Sequence, residues 1–341
     1  MEDQFTNIKV YAAWTKNDSI RFNSTSGGIF SELAYAILDE AGYICGAIYD
    51  DNNNVCHALG NTIEDVKKMR QSKYVQSDIG NALIRCKEKL DEGKIVAFVG
   101  APCQVAALKN YLGKDYDNLY TIDFICRGVN SPKAYNSWLR ELEKKKKSKI
   151  TKVWFKYKKG GWKTSPRRTL IEFANGKKIV LDQENNLFMR GYLEGNLYIR
   201  KSCGNCRFKG ENRCSDITLA DFWGIDSEYD DDMGTSLVMI NSLKGKTLFD
   251  KIINNINIHE KDFSKIFGSN PMFCGSVNIS GEVTSFLQEI DDSNFTSVVR
   301  KYLNISSKKR AKEMLMSIKR KIKKYLVIGI KKIHGNENKK Y

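Results

Sequence analysis

The sequence predicts an α/β protein with a mixed sheet, βαβ units, an antiparallel insertion and a basic helix at its C-terminal end. Short apolar runs that alternate with helical patterns indicate parallel strands joined by helices. Strand-like segments around the hairpin signal Asn175-Gly176 indicate an antiparallel insertion over about residues 150–182. We therefore divide the chain into a main domain over 1–255, a C-terminal extension over 256–305 and a helical tail over 306–341.

The N-terminal part of the chain alternates the two kinds of element. Apolar residues that alternate with polar ones indicate strands, and apolar residues three and four positions apart indicate amphipathic helices. A cluster of Asp and Asn at 51–54 marks a turn between two strands. In chain order the patterns predict a strand at 9–13, a helix at 26–40, strands at 43–49 and 55–59, and helices at 62–69 and 78–90.

Two buried strands of the parallel type each end close to a cysteine. The run Ile95–Val99 is followed by a Gly-Ala-Pro break, and Cys103 then opens a helical pattern. The next strand, Leu119–Ile125, ends at Cys126, and Ser131-Pro132 begins the following helix. Because a right-handed βαβ crossover makes the strands parallel, both cysteines should emerge at the same carboxyl edge of the sheet. The positive end of its helix should also favour the thiolate form of Cys103.

A Cys-x-x-Cys pair, Cys203 and Cys206, can bind one metal centre from a single turn. The pair alone is compatible with zinc ribbons, redox dithiols and iron–sulfur sites. None of the three histidines has the spacing of a Cys2His2 site. Together with Cys103 and Cys126 the pair supplies four thiolates, which suit a 4Fe-4S cluster or a structural zinc. Cys214 is a rival for the fourth ligand, and the two sheet-edge cysteines could instead be small apolar core residues.

The net charge of +16 is unevenly distributed. Residues 308–341 contain thirteen Lys or Arg and two Glu, a net +11, so the rest of the chain carries only a modest excess. We therefore expect no nucleic-acid partner. The tail has the spacing of a basic amphipathic helix, which could pack on the body of the protein or make peripheral contact with an anionic membrane surface.

Cysteine usage and the chain ends indicate the compartment. The chain has nine cysteines, and residues 1–5 are acidic and lack the apolar core of a secretory signal. The run Leu326–Ile330 is too short to span a bilayer. We therefore expect reduced thiols in a cytoplasmic protein, either soluble or peripheral to a membrane.

A second site signal precedes the first long helix. The segment Arg21-Phe22-Asn23-Ser24-Thr25-Ser26-Gly27-Gly28 combines hydroxyls with paired glycines. Glycines free backbone N–H groups and let a phosphate approach closely, and the helix dipole adds attraction. Serine and glycine also begin many helices merely as caps, so both interpretations stay open.

Several short motifs, taken in chain order, resemble the coenzyme F-420 hydrogenase/dehydrogenase beta-subunit family. The resemblance covers roughly residues 8–255 and lacks the N-terminal ferredoxin module of many relatives. The motifs are Ser24–Gly28, Ser72–Tyr74, Gly100–Gln104, Cys126–Pro132, Cys203 with Cys206, and Asp216–Gly224. At one of them, Cys126-Arg127-Gly128 stands where relatives have Cys-His-Gly, which adds a cation that should raise the potential of a nearby cluster.

The resemblance implies a flavoprotein that passes electrons between FAD, a 4Fe-4S cluster and an external carrier, with coenzyme F-420 as one candidate. It implies that the cluster ligands are Cys103, Cys126, Cys203 and Cys206. It implies that FAD is held with the help of Ser24, Ser26, Gly27, Gly28, Ser72, Lys73 and Tyr74. It assigns no catalytic residue, and Asp221 and Lys73 are the candidates.

The sequence therefore predicts an iron–sulfur flavoprotein oxidoreductase, with its flavin and cluster in the domain over 1–255. Its electrons would come from a separate protein such as a ferredoxin, and its substrate would be an unidentified small molecule or a glycan-related compound. The alternative is a non-catalytic, zinc-stabilised accessory protein that docks partners at a membrane surface through the tail.

Overall fold

The computed structural model describes residues 8–306, without the side chains of Pro166 and Ser269. The basic helix expected over 306–341 lies outside the described residues, except for its first residue. Within this range the chain forms eleven β-strands and eleven α-helices. The strands are β1 (Lys9–Thr15), β2 (Tyr43–Tyr49), β3 (Val55–Gly60), β4 (Val96–Val99), β5 (Leu119–Phe124), β6 (Ile150–Phe155), β7 (Thr169–Phe173), β8 (Lys178–Leu181), β9 (Ile217–Asp221), β10 (Ser236–Ile240) and β11 (Ile256–Lys261).

The α-helices are α1 (Asp18–Phe22), α2 (Ile29–Asp39), α3 (Ile63–Met69), α4 (Ala82–Asp91), α5 (Pro102–Leu112), α6 (Pro132–Lys146), α7 (Leu187–Leu193), α8 (Leu243–Asp250), α9 (Lys265–Ser269), α10 (Val283–Glu289) and α11 (Phe295–Tyr302). Short 3₁₀ helices cover Ser165–Arg167, Lys201–Asn205, Ser227–Tyr229 and Ile253–Asn255. Across residues 8–306, no helix combines the length and apolarity that crossing a bilayer requires.

The larger sheet has eight strands in the order β11-β1-β10-β9-β5-β4-β2-β3. Its centre is parallel, because β2 pairs with β4, β4 with β5, and β5 with β9 in the same direction. The outer strands are antiparallel to their neighbours. This arrangement confirms the predicted mixed sheet and its βαβ unit, β4-α5-β5.

The elements predicted between residues 9 and 90 are all present, with shifted ends. Helix α2 begins at Ile29 because Gly28, its N-cap, has a left-handed φ of 90°. Helix α4 begins at Ala82, later than predicted, because Asp78 instead forms a parallel bridge with Cys56 beside β3.

Helices cover both faces of the larger sheet. Side chains alternate along β4, so Ala97 packs with α2 and α8 on one face, whereas Val96 and Phe98 pack with α4 and α5 on the other. Buried aliphatic residues such as Leu33 and Leu108 fill these two layers. The parallel strands are therefore buried on both sides, as their continuous apolar runs predict.

A smaller antiparallel sheet, β6-β7-β8, confirms the predicted insertion. Its hairpin turns at Gly176, whose φ of 79° explains why glycine occupies that position. Its inner face packs on an aromatic cluster in which Trp138 of α6 stacks on Phe188 of α7 at 4.8 Å between ring centroids.

The last described segment contributes to both parts of the fold. Strand β11 pairs with β1 at the edge of the larger sheet. Helices α10 and α11 add Phe286 and Phe295 to the aromatic cluster beside the insertion. The division of the chain at residue 255 stays a prediction.

Candidate functional site

A cavity of about 640 Å³ lies at the carboxyl ends of the parallel strands β2, β4, β5 and β9. This edge is where open α/β sheets commonly bind ligands. Among the residues singled out from the sequence, those that line the cavity are Ser24, Ser26, Gly28, Ser72, Lys73, Tyr74, Cys126 and Asp221. Those not among its lining residues are Gly27, Cys103, Cys203, Cys206 and Cys214.

The turn over 24–28 is shaped by hydrogen bonds to the protein itself. The hydroxyl of Ser24 donates to the carbonyl of Ile20 at 2.7 Å, and that of Ser26 donates to the carbonyl of Thr235 at 2.5 Å. No side chain caps the N-terminus of α2, which follows this turn and contributes Ile29 to the cavity wall. The cap residue, Gly28, therefore provides no side-chain acceptor for the N–H groups at the positive end of the helix, and this end faces the cavity.

The two glycines of the turn are required by packing. A Cβ on Gly27 would lie 2.3 Å from the carbonyl oxygen of Ala13 in β1 and 2.8 Å from the backbone nitrogen of Ser236 in β10. A Cβ on Gly28 would lie 2.7 Å from the Cγ2 of Thr15. The turn must therefore lack side chains at both positions whether or not a phosphate binds.

Two buried cations hold the turn: Arg21, which begins the predicted segment, and Lys158, which the sequence did not single out. The Nζ of Lys158 donates to the carbonyls of Ser26 at 2.8 Å and Met233 at 2.9 Å, and also to the carbonyl of Arg21. Burial lowers the pKa of Lys158 to about 7. The guanidinium of Arg21 makes paired hydrogen bonds of 2.6 and 2.8 Å to Asp231. These contacts tie the turn to the insertion and to the loop before β10.

Ser72 and Lys73 lie beside the same turn. The backbone N–H of Ser72 donates to the Oγ1 of Thr25 at 2.7 Å. The Nζ of Lys73 donates to the carbonyls of Met69 at 3.2 Å and Arg70 at 3.1 Å, at the C-terminal end of α3. Burial lowers the pKa of Lys73 to about 7, which suits a group that exchanges protons near neutral pH.

Tyr74 connects the cavity to the aromatic cluster. Its ring packs edge-on against Phe155 at 5.4 Å and is tilted by 51° against Tyr192 at 5.7 Å between centroids. Burial raises the pKa of its hydroxyl, which interacts with Lys156 and Ser72. The ring is thus fixed from both sides, while its hydroxyl joins a polar group in the cavity wall.

Asp221, a catalytic candidate, forms an ion pair with Lys156. The two side chains are only 11% and 10% exposed, respectively. Burial opposes the charge on Lys156, but Asp221 and then Tyr74 outweigh it and raise its pKa. The Lys156 ammonium lies 5.5 Å from the ring centre of Trp223, which stacks on Trp162 at 4.1 Å. Sequence reasoning missed Lys156, because a lysine in the basic run after β6 carries no local signal.

The four predicted cysteine ligands come from three separate segments that approach one another. Cys103 is exposed at the start of α5, and the other three are half-buried. Burial raises the pKa of Cys103, as do Cys203 and Cys206 nearby, and these effects outweigh a backbone hydrogen bond at the helix end that lowers it. Gly128 has no Cβ, and one placed there would lie 3.3 Å from the Cβ of Cys203. Burial raises the pKa of Cys126 to about 12, with Cys103 and Cys203 adding to the shift.

Lysine and arginine side chains accompany these thiols. The Nζ of Lys209 donates to the carbonyls of Cys126 at 2.5 Å and Met272 at 2.8 Å. Arg200 lowers the pKa of Cys103, against the larger effect of burial. The donor set, four thiols with neighbouring cations, fits a thiolate-ligated centre in its chemistry. As the side chains stand, however, residues 8–306 contain no group of three or more Cys, His, Asp or Glu arranged to hold a metal ion.

Cys214 has different surroundings. Its Sγ lies 3.6 Å from the carbonyl of Pro102, and it packs against the core layer of α4 and α5. Burial raises its pKa, followed by the nearby charge of Asp123. The other charged side chains that act on it are Lys109 and Arg213, which lower its pKa.

Asp123 forms a buried ion pair beside the cavity. One of its carboxylate oxygens lies 2.9 Å from Arg213 and accepts a hydrogen bond of 2.6 Å from Thr218. The other oxygen is buried and has no hydrogen-bond partner among the described residues. Burial raises the pKa of Asp123, although Arg213 opposes this.

His57, which lines the cavity, is buried and stacks on Phe98 at 5.5 Å between ring centroids. Its Nε2 lies 3.1 Å from the carbonyl oxygen of Val99 and therefore carries the proton of the neutral ring. Its Nδ1 has no partner within residues 8–306. Burial lowers the pKa of His57 to about 4.

Comparison with solved structures supports the fold. A chain from the xenon-derivatised F420-reducing [NiFe] hydrogenase complex of Methanosarcina barkeri is similar, with a TM-score of 0.50 and 15% sequence identity. The match covers 89% of this chain and 93% of that chain. No curated protein sequence matches.

Comparison with protein families agrees with the resemblance in the short motifs. Residues 10–83 match the N-terminal model of the coenzyme F420 hydrogenase/dehydrogenase beta subunit, and residues 93–266 match its C-terminal model. The two matches together cover the larger sheet and the insertion, and the second alone covers more than half of the chain. The predicted resemblance is therefore confirmed, and the chain belongs to the redox-related coenzyme F420 hydrogenase/dehydrogenase beta-subunit family.

Proposed function

We propose that the protein is an iron–sulfur flavoprotein oxidoreductase that moves electrons between FAD, a 4Fe-4S cluster and an external carrier or substrate. The observation that carries the proposal is the continuity of one cavity. The same cavity is lined by the turn before α2, by Ser72–Tyr74 and by Cys126, which belongs to the cysteine group. Two cofactor sites of the predicted kinds would therefore adjoin.

Several features of the cavity support FAD as its ligand. Its volume of about 640 Å³ falls in the usual range of cofactor pockets. The uncapped N-terminus of α2 offers a positive end to a pyrophosphate. Bound FAD would supply exchange between one-electron and two-electron chemistry. The residues that would hold it are Ser24, Ser26, Gly27, Gly28, Ser72, Lys73 and Tyr74, with Gly27 acting through the shape of the turn.

The cysteine group has the ligand chemistry of a cluster. Four thiols without imidazole suit a 4Fe-4S centre, which would relay single electrons. The mutual influence of Cys103, Cys126, Cys203 and Cys206 supports this set. The separate surroundings of Cys214 favour Cys126 as the fourth ligand.

Lys73 and Asp221 would have different roles beside the flavin. Lys73 can hold or release a proton at its Nζ near neutral pH, because burial lowers its pKa to about 7. Asp221 fixes the position of the Lys156 ammonium through their ion pair. Lys73 is therefore our candidate for proton transfer, and Asp221 is our candidate for positioning charge.

An acidic electron-donor protein, such as a ferredoxin, would suit the outer side of the cysteine group. Arg200, Lys201 and Arg207 are exposed next to the Cys-x-x-Cys pair. None of the three forms an ion pair within the part of the chain that the structure describes. Opposite charge would steer such a donor to this surface. Coenzyme F-420 or a glycan-related small molecule would then exchange electrons at the flavin, in a cytoplasmic protein with peripheral membrane contact through residues 308–341.

The test is anaerobic purification followed by analysis of iron, sulfide, flavin and zinc. We expect a brown protein with FAD and about four irons per chain, as a 4Fe-4S cluster requires. Cys203→Ser should lose the iron, whereas Cys274→Ser, at an exposed cysteine outside the group, should keep it. Cys214→Ser should also keep it. A colourless protein with one zinc per chain would instead support the zinc-stabilised accessory protein, because the same thiols suit zinc.

A further inference from the structure

Lys156 reaches the cavity from an unfavourable backbone conformation. It follows the last residue of β6 and has a φ of 53°, in the left-handed region that lysine seldom adopts. Such conformations persist where surrounding contacts over-determine them, and they cluster at functional sites. The backbone at Lys156 is therefore strained, and this conformation places its side chain in the cavity wall.

Three segments fix the Lys156 ammonium once it is there. Asp221 at the end of β9 forms the ion pair, Tyr74 contributes its hydroxyl, and Trp223 presents its ring at 5.5 Å. Trp223 is itself held by its stacked partner Trp162, which is buried. A lysine side chain normally has free rotation about its bonds, so this degree of restraint gives a positive charge at a fixed point of the cavity wall.

A purely structural role does not account for this arrangement. Buried ion pairs contribute little to stability, because desolvation offsets their attraction. This pair also carries the strain at Lys156 and lines the cavity rather than a closed core. A fixed cation in a cavity wall is suited to a ligand that gains negative charge there.

Resting on the function proposed above, we propose that Lys156 sets the reduction potential of the bound flavin. Reduction of a bound flavin by two electrons from the donor protein and one proton from solvent would leave it with one more negative charge than its oxidised form. The Lys156 ammonium would stabilise that charge, and charge near the ring nitrogens is one of the ways a protein tunes a flavin. Asp221 works in the opposite direction, because its carboxylate cancels part of the field of Lys156.

The experiment measures the midpoint potential of the bound flavin by anaerobic equilibration with a reference dye. Lys156→Met should weaken binding of the reduced relative to the oxidised flavin at least tenfold, which lowers a two-electron potential by about 30 mV. Lys156→Arg keeps the charge and should shift the potential less. Asp221→Asn removes the opposing charge, but it also removes the main group that keeps Lys156 protonated. It should therefore raise the potential when measured well below pH 7, the pKa to which burial lowers Lys73 and Lys158. Lys152→Met, at an exposed lysine of the preceding strand β6, is the matched control and should have no effect.

The outcomes separate this inference from the proposed function. If the wild-type protein holds no flavin, the proposed function fails. If it holds flavin and Lys156→Met leaves the potential unchanged, the role of Lys156 is wrong. If Lys156→Met does not fold, the sign of the Asp221→Asn shift at this low pH decides: a higher potential supports the inference, and an unchanged or lower one overturns it.

Discussion

Replacing Gly27 by alanine should destabilise the protein even when it carries no ligand. The new Cβ would stand 2.3 Å from the carbonyl oxygen of Ala13 and 2.8 Å from the nitrogen of Ser236. Ordinary contacts begin near 3.4 Å, so the carbonyl would have to move by roughly 1 Å. Ala13 and Ser236 are paired residues of β1 and β10, so that movement strains the sheet. Overpacking of this kind costs about 1–3 kcal/mol, and we expect the upper half of that range.

Urea unfolding of the flavin-free protein measures this cost. The Gly27→Ala variant should unfold at a lower urea concentration with an unchanged slope, because only the folded state is affected. Gly281→Ala is the matched control, since a Cβ there meets nothing within 4 Å and its φ lies outside the left-handed region. Its free energy of unfolding should stay within about 1 kcal/mol of the wild type. A Gly27→Ala protein of wild-type stability that had lost flavin binding would refute the packing argument and restore a ligand-based reason for the glycine.

Three further predictions concern charge. Burial lowers the pKa of His57 to about 4, so between pH 6.5 and 4 the imidazole is protonated in the unfolded chain but stays neutral in the folded protein. The free energy of unfolding should therefore fall as the pH falls from 6.5 to 4, and His57→Gln should remove roughly 3 kcal/mol of that fall in urea titrations. Arg200→Glu with Arg207→Glu should raise the KM for an acidic electron donor and weaken its salt dependence, and equal KM values at all ionic strengths would contradict the docking surface. Asp123→Asn leaves Arg213 buried without its carboxylate and should cost about 3–5 kcal/mol in the same urea assay, whereas an unchanged midpoint would show that the pair is dispensable.

The fold of the N-terminal half could be predicted because its signals are local. The apolar runs of β4 and β5, the helix between them and Pro102 at its first turn all lie within thirty residues, and a right-handed crossover then determines their direction. The position of the turn before α2 was also predictable from Gly27 and Gly28. The packing reason for glycine at position 27 could not be predicted, because it depends on Ser236, which lies more than two hundred residues further along the chain.

The charged residues of the cavity wall lie beyond local prediction for the same reason. Lys156 is separated from Asp221 by 65 positions, and Lys158 is separated from Ser26 by 132. Both lysines belong to a short basic segment that follows strand β6, and the side chains of such segments are usually exposed to solvent. Only the antiparallel sheet, folded against α6 and α7, brings the run inside. Periodicity predicts which elements form, but it does not indicate which lysine is buried.

The attachment of Lys158 to the carbonyls of Arg21, Ser26 and Met233 has a consequence for how this molecule can vary. An appendage joined to a sheet by loops alone can be shortened or exchanged without disturbing its host. Here the inserted sheet places the Lys158 ammonium against the backbone of the turn before α2, and it places Lys156 in the cavity wall. A relative that lacked the smaller antiparallel sheet would need other residues to form this part of the cavity wall. We therefore expect the two sheets to occur together in relatives.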